Sequence, residues 1–220
     1  MDDLFKRLRI RFGDKYLLWK ALSNNGRIAE MDLPEGSISL PDRDDVKAFR
    51  DFIETHISPH DMLLDIGTGI QQGYLRYLRF KFLWMLDPFE IKATRARFYF
   101  KINAVAEDIP IQDDFFHVVI AATSLDHMID LGTALKEIHR VTKPGGKFLV
   151  WTSDRSNIPI AGVVEYPNGS VFFTPPGAVD PFHADNLSIG DQNAMIENAA
   201  FKAGEFLNYE ETNYFLAYEK

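Results

Sequence analysis

The chain has 220 residues, 46% of them apolar, with 32 acids against 24 lysines and arginines and a formal charge of -8. That length suits one domain with a sizeable core. The acidic balance excludes a broad basic footprint for nucleic acid or an anionic membrane and leaves small molecules as the expected partners. With no cysteine in the sequence, disulfides, thiolate metal sites and cysteine nucleophiles are excluded too.

The opening stretch, MDDLFKRLRIRFGDKYLLWK, is charged throughout and lacks the apolar centre of a secretion signal. No apolar run reaches the ~18 residues of a membrane span, so a cytoplasmic protein is expected. A short amphipathic helix is predicted over Leu4–Trp19, followed by loop signals in SNNG (23–26) and DLPEG (32–36). Residues 1–40 thus read as an N-terminal cap within a single domain. In PDRDDVKAFRDFIETHI the residues Val46, Phe49, Phe52, Ile53 and Ile57 recur at spacings of three and four, with acids near the start, which predicts an amphipathic helix.

MLLDIG (62–67), FLWMLD (82–87), a weaker run near 100–105, HVVIAAT (117–123) and KFLVWT (147–152) are short runs without polar alternation, as strands buried on both faces should be. Helical patterns lie between them. The clearest is DLGTALKEIHRVT (130–142), with Leu131, Leu135, Ile138 and Val141 on one face and a stop at Pro144 and two glycines. Strand alternating with helix predicts an α/β fold, a Rossmann-like doubly wound sheet, with residues 41–152 as a cofactor-binding core. Residues 153–187, rich in proline and with a hairpin signal around YPNGSVFF, read as an insert or lid. Residues 188–220 read as a final helix and a pair of antiparallel strands. The oligomeric state stays open, a homodimer included.

The first strand runs into LLDIGTGIQQGYLR (63–76), with glycines at 67, 69 and 73. A glycine turn lets a ligand approach the backbone closely. The spacing is not the dinucleotide G-x-G-x-x-G, and Asp65 stands two residues before the first glycine. An acid there repels a phosphate and suits a ligand carrying an ammonium or a sulfonium. Asp87, ending the second strand, stands where α/β nucleotide sites keep an acid for the ribose hydroxyls.

LLDIGTG, LDPFE, AEDIPIQDDFFHVVIAATSLDH and ALKEIHRVTKPGGKFLV together resemble, in order, the motifs of the class I S-adenosylmethionine-dependent methyltransferases. They are most similar to the branch holding the ubiquinone and menaquinone C-methyltransferases, the methyltransferase type 11 domain. The likeness covers about residues 45–152 and, more loosely, 182–204. It implies S-adenosylmethionine as cofactor. Gly67 and Gly69 would admit its methionine part, Asp65 would lie near its amino group, and Asp87 would hold the ribose. Ala106, Glu107 or Asp108, and Ile109 would border the adenine. Thr68, Pro88 and Ser124 fall in the same site. The chain departs from the family pattern at Gln71, which replaces a common third glycine, so that the amino-acid end is bound either more loosely or by the Gln71 side chain. It departs again at Val105, in place of a frequent acid, and at His117, in place of a usual Asp.

Methyl transfer needs alignment and, for a hydroxyl or acidic carbon, a base. His127, just past the fourth strand, is the first candidate and His183, in the insert, the second. Asp126 either orients the His127 imidazole or faces water. His56, His60 and His139 read as structural. HISPH has no clustered carboxylate, so no metal is expected. Tyr16, Trp19, Tyr74, Tyr166, Phe172 and Phe173 are candidate pocket walls for an apolar or ring-bearing acceptor. A small molecule, a sugar or secondary metabolite, is the expected acceptor. The alternatives are a non-catalytic relative acting as a binding or regulatory subunit, motivated by Gln71 and Val105, and a nicotinamide-dependent oxidoreductase, which rests on the glycines alone.

Overall fold

The computed structural model describes residues 2–32, 40–69, 73–75, 78–89, 99–157, 162–165, 171–174, 183, 186–210 and 213–220. The five apolar runs form parallel strands: β1 (Met62–Ile66), β2 (Phe82–Leu86), β3 (Tyr99–Ile102), β4 (Phe116–Ala122) and β5 (Thr142–Ser153). The C-terminal pair, β8 (Lys202–Tyr209) and β9 (Asn213–Glu219), is antiparallel, and β9 lies antiparallel to β5 with Trp151 opposite Phe215. The sheet order is β3-β2-β1-β4-β5-β9-β8. Winding runs outward from β1 through β2 to β3, then resumes on the other side of β1 at β4. The two loops leaving β1 and β4 therefore diverge and open a crevice at the carboxyl edge, where such sheets take their ligands.

Each sheet face is covered because the strands are apolar on both. On one side α3 (Asp44–His56) buries Val46, Phe49, Phe52 and Ile53 against Leu63, Met85, Val118, Ile120 and Leu149. On the other, α4 (Leu131–Val141) and α5 (Ile189–Asn198) bury Leu135, Ile138 and Ile196 against Leu64, Val119, Phe148 and Val150. Side-chain caps start both helices: Asp130 accepts from the Thr133 N–H at 2.9 Å and Ser188 from the Asp191 N–H at 3.1 Å. His117 accepts from the Met62 N–H through Nδ1 at 3.0 Å. It thus ties β4 to the start of β1, at the edge of the sheet remote from the crevice.

The N-terminal region differs from its expected shape. Two helices, α1 (Asp2–Phe12) and α2 (Asp14–Asp32), meet at Gly13, whose φ of 54° only glycine adopts easily. The stretch SNNG lies inside α2 rather than in a loop. A glycine inside a helix costs about 1 kcal/mol, and burial of Tyr16, Trp19, Ala21 and Leu22 on the preceding turns outweighs it. The signal at DLPEG falls mostly outside the described residues, as do Gln71, Tyr166 and the Asn168–Gly169 turn. The predicted hairpin is present as β6 (Gly162–Glu165) paired antiparallel with β7 (Val171–Thr174). α2 lies against β6, β7 and the turn Leu125–His127, so the cap and the insert meet beside the crevice.

Candidate functional site

At the end of β1 the backbone turns left-handed at Gly67 (φ 69°) and Gly69 (φ 62°). A Cβ added to Gly67 would lie 2.6 Å from Ser124 Cβ, so glycine is required by space as well as by conformation. Ser124 closes the same junction by donating from Oγ to the Ile66 carbonyl at 3.0 Å. Asp65 is fully buried beneath this turn. Its Oδ1 accepts from the Tyr74 hydroxyl at 2.7 Å and its Oδ2 from Thr68 Oγ1 at 2.9 Å. Burial pushes the Asp65 carboxyl up to about 7, against the pull of those two hydrogen bonds, and burial also raises the Tyr74 phenol. Asp65 and Tyr74 thus brace the turn from inside, while Gly67 stands exposed above them.

Asp87 links the turns after β1 and β2. Its Oδ2 accepts from the Gly69 N–H at 3.0 Å and its Oδ1 from the Phe89 N–H at 2.8 Å. Pro88 is half-buried, with its carbonyl accepting from Asn103 Nδ2 at 2.8 Å.

In the segment after β3, Ala106 and Ile109 are buried and Asp108 is exposed. Glu107 points inward, where Oε1 accepts from the backbone N–H groups of Ile129 at 2.5 Å and Asp130 at 3.0 Å. Burial raises its carboxyl and these donors pull the other way. Glu107 therefore anchors the segment carrying His127 rather than lining the open edge. Val105 packs with Leu4, Leu8, Tyr16, Trp19 and Ile129. An acid there would be buried among apolar groups, which accounts for the departure noted in the sequence.

Past β4 a single 3-10 turn, Leu125–His127, closes by the His127 N–H donating to the Ser124 carbonyl at 3.2 Å. It presents Asp126 and His127, both half-buried. The insert brings His183 alongside, with the two imidazole centroids 4.6 Å apart and tilted by 34°. Nε2 of His183 lies 3.4 Å from Asp126 Oδ2, and Nε2 of His127 lies 4.0 Å from Oδ1. Arg155, just past β5, sets its Nε 3.8 Å from Asp126 Oδ2 and donates to Asn186 Oδ1 at 3.4 Å. Gln192 ties the end of β5 to Leu187, donating to the carbonyls of Ser153 and Leu187 at 3.1 and 3.2 Å.

The structure therefore brings Gly67, Thr68, Gly69, Asp87, Pro88, Ser124 and His127 to one edge of the sheet, with His183 beside them. Of the expected pocket walls, Tyr16, Trp19 and Tyr74 are core residues, and Tyr166 and the side chains of Phe172 and Phe173 lie outside the description. Sequence reasoning missed Arg155. Its only signal is a cation two residues after a strand that ends at the ligand edge.

Residues 64–150 match the family described as a methyltransferase domain. Among solved structures, the chain resembles the Burkholderia thailandensis 1,6-didemethyltoxoflavin-N1-methyltransferase, which holds 1,6-didemethyltoxoflavin and S-adenosylhomocysteine. The TM-score is 0.66 at 12% identity, over 92% of this chain and 88% of that one. The fold is that of the class I methyltransferases. Among curated proteins, the ubiquinone/menaquinone biosynthesis C-methyltransferase UbiE of Neisseria meningitidis is 38% identical over 123 residues, 50% of each chain. The chain thus spans half the length of that relative. The methyltransferase fold is also seen in the [4+2]-cyclase SpnF, with a TM-score of 0.60 at 17% identity over 79% of this chain and 80% of that one. The fold by itself therefore does not dictate one chemistry.

Proposed function

We propose that this chain is an S-adenosylmethionine-dependent methyltransferase acting on a small, ring-bearing molecule, a secondary metabolite or a hydroxylated ring of the quinol type. The observation that carries this reading is the meeting, within the methyltransferase-matching segment, of a left-handed glycine turn, a strand-end carboxylate and a histidine turn at one switch point. The relatives named for ubiquinone and menaquinone biosynthesis favour the quinol class over a sugar.

The residues present fit the cofactor. Gly67 and Gly69 leave backbone open to its methionine part, above the brace formed by Asp65, Thr68 and Tyr74. Asp87 takes the ribose hydroxyls. Ala106 and Ile109 supply an apolar floor for the adenine, with Asp108 at its exposed edge. Bound there, S-adenosylmethionine supplies an electrophilic methyl group on a sulfonium. The chain's own part is to align the acceptor and manage its proton. His127 and His183 stand on the acceptor side, and the α1–α2 cap and the β6–β7 insert close over it as roof and lid. Among the described residues no helix is long and apolar enough to cross a membrane, and we place the reaction in the cytoplasm.

Thermal unfolding with S-adenosylmethionine, S-adenosylhomocysteine and NAD tests the cofactor. A ligand at about 100 times its dissociation constant stabilises by about 2.7 kcal/mol. The two adenosyl compounds should raise Tm and NAD should not; a response to NAD alone would overturn the reading. Methyl transfer from labelled cofactor to a panel of hydroxylated rings tests turnover. His127→Ala should lower it by about 10²- to 10⁴-fold with cofactor affinity unchanged.

A further inference from the structure

We propose that Asp126, His127 and His183 form a binding site for one divalent transition-metal ion. Each offers one ligand atom, and the three atoms lie within 4.8 Å of one another. Two imidazole nitrogens and one carboxylate oxygen are a donor set for zinc, iron(II), cobalt or manganese. Bonds of about 2.1 Å put neighbouring ligand atoms roughly 3.0 to 3.4 Å apart on one ion. The His183 Nε2 to Asp126 Oδ2 separation of 3.4 Å already meets that spacing. Nε2 of His127 lies 4.0 Å from the other carboxylate oxygen, Oδ1, and closes in by rotation of the imidazole when the ion binds.

The backbone that carries two of the ligands is fixed from behind. Asp126 and His127 sit on a hydrogen-bonded 3-10 turn whose continuation is held by Glu107 through the Ile129 and Asp130 N–H groups. Beside the site, Arg155 donates to Asn186 and Gln192 to the Leu187 carbonyl. Arg155 also stands 3.8 Å from Asp126 Oδ2, where its guanidinium balances the carboxylate and competes with an ion for it. Three protein ligands leave coordination positions open, the form of a catalytic rather than a structural site. On the acceptor side of the crevice, those positions suit an oxygen donor such as a ring hydroxyl, whose proton then leaves more readily for solvent. This last role rests on the methyl-transfer reading; the ion site does not. The proposal recasts two histidines that the sequence offered as separate bases, and it departs from the expectation of no metal.

The test is titration of chelator-treated protein with Co²⁺, followed by visible absorbance, with bound metal per chain measured by elemental analysis. One ion per chain is expected, with ligand-field bands typical of nitrogen and oxygen donors. His127→Ala, His183→Ala and Asp126→Asn should each weaken binding at least tenfold while circular dichroism stays unchanged, and Arg155→Gln should tighten it. Absence of saturable binding, or binding that survives loss of both histidines, overturns the proposal and leaves the pair as proton-handling groups. The thermal shift with S-adenosylhomocysteine, run on the same samples, keeps the two readings apart. Cobalt binding without that shift would remove the methyltransferase reading and leave the ion site standing.

Discussion

The two halves of the crevice are built in opposite ways. Around β1 and β2, among the described residues, the carboxylates are already engaged by the chain itself: Asp65 by Tyr74 and Thr68, Asp87 by Gly69 and Phe89. Past β4 the groups are half-buried and more widely spaced, with Asp126, His127 and His183 3.4 to 4.0 Å apart in pairs that include Asp126. A fixed backbone cradle suits a ligand whose shape never changes, and preorganisation of that kind lowers the cost of binding. Looser side chains suit the partner that varies from one relative to another.

Substitutions can break or sharpen that contrast. Gly67→Ala should do most damage, since it meets both a φ of 69° and a Cβ contact of 2.6 Å with Ser124. We expect a loss of roughly 2–4 kcal/mol in chemical denaturation and no thermal shift with S-adenosylhomocysteine. Its counterpart past β4, His127→Ala, should leave that shift in place, and equal effects from the two would erase the distinction. Asp87→Ala should come next, weakening cofactor affinity by about 10- to 100-fold with the circular dichroism spectrum preserved; unaltered affinity would remove Asp87 from the site.

The cradle should also respond to pH. Burial raises the folded-state carboxyl of Asp65 from 3.8 to about 7, so the folded protein holds a proton that the unfolded chain releases. Its stabilising contribution is complete below pH ~4 and is lost as pH rises through about 7. Asp65→Asn should flatten the stability profile over that window, and an unchanged slope would show that another group sets it. The smallest effect is expected at the cap. Lys15 pairs with Asp130, whose carboxyl is lowered to about 2 chiefly by that contact. That contribution is present above pH ~4 and is lost as pH falls through about 2. Lys15→Met should cost no more than about 1 kcal/mol and bring acid unfolding to a higher pH.

The core strands were legible because burial on both faces leaves uninterrupted apolar runs, and α4 because one face carries Leu131, Leu135, Ile138 and Val141. Asp87, Gly67 and Gly69 could be placed at the carboxyl edge because strand ends fix them. The roles of Asp65 and Glu107 could not be read in the same way. Both look like ligand-facing acids in the sequence, yet each turns inward to satisfy local donors, and only packing decides which way a strand-end side chain points. The long α2 was hidden by SNNG, where local propensity speaks against a helix that tertiary burial enforces. Nor could the sequence bring Asp126, His127 and His183 together, since 55 residues separate the last two.

Among the described residues, the cap meets the core through one small apolar cluster, the Trp19–Phe89 stack at 5.9 Å and the Lys15–Asp130 pair, besides the contacts of α2 with β6, β7 and the Leu125–His127 turn. Such an attachment opens at a lower free energy than the sheet beneath it unfolds. Because Val105 and Ile129 are buried under α1 and α2, each opening uncovers the flanks of the segment after β3 and of the histidine turn. Amide hydrogen exchange in Leu4–Leu22 should therefore outpace exchange in β1 and β4, and it should slow when the crevice is filled. Slower exchange in the filled state would mark the cap as a kinetic gate on ligand release.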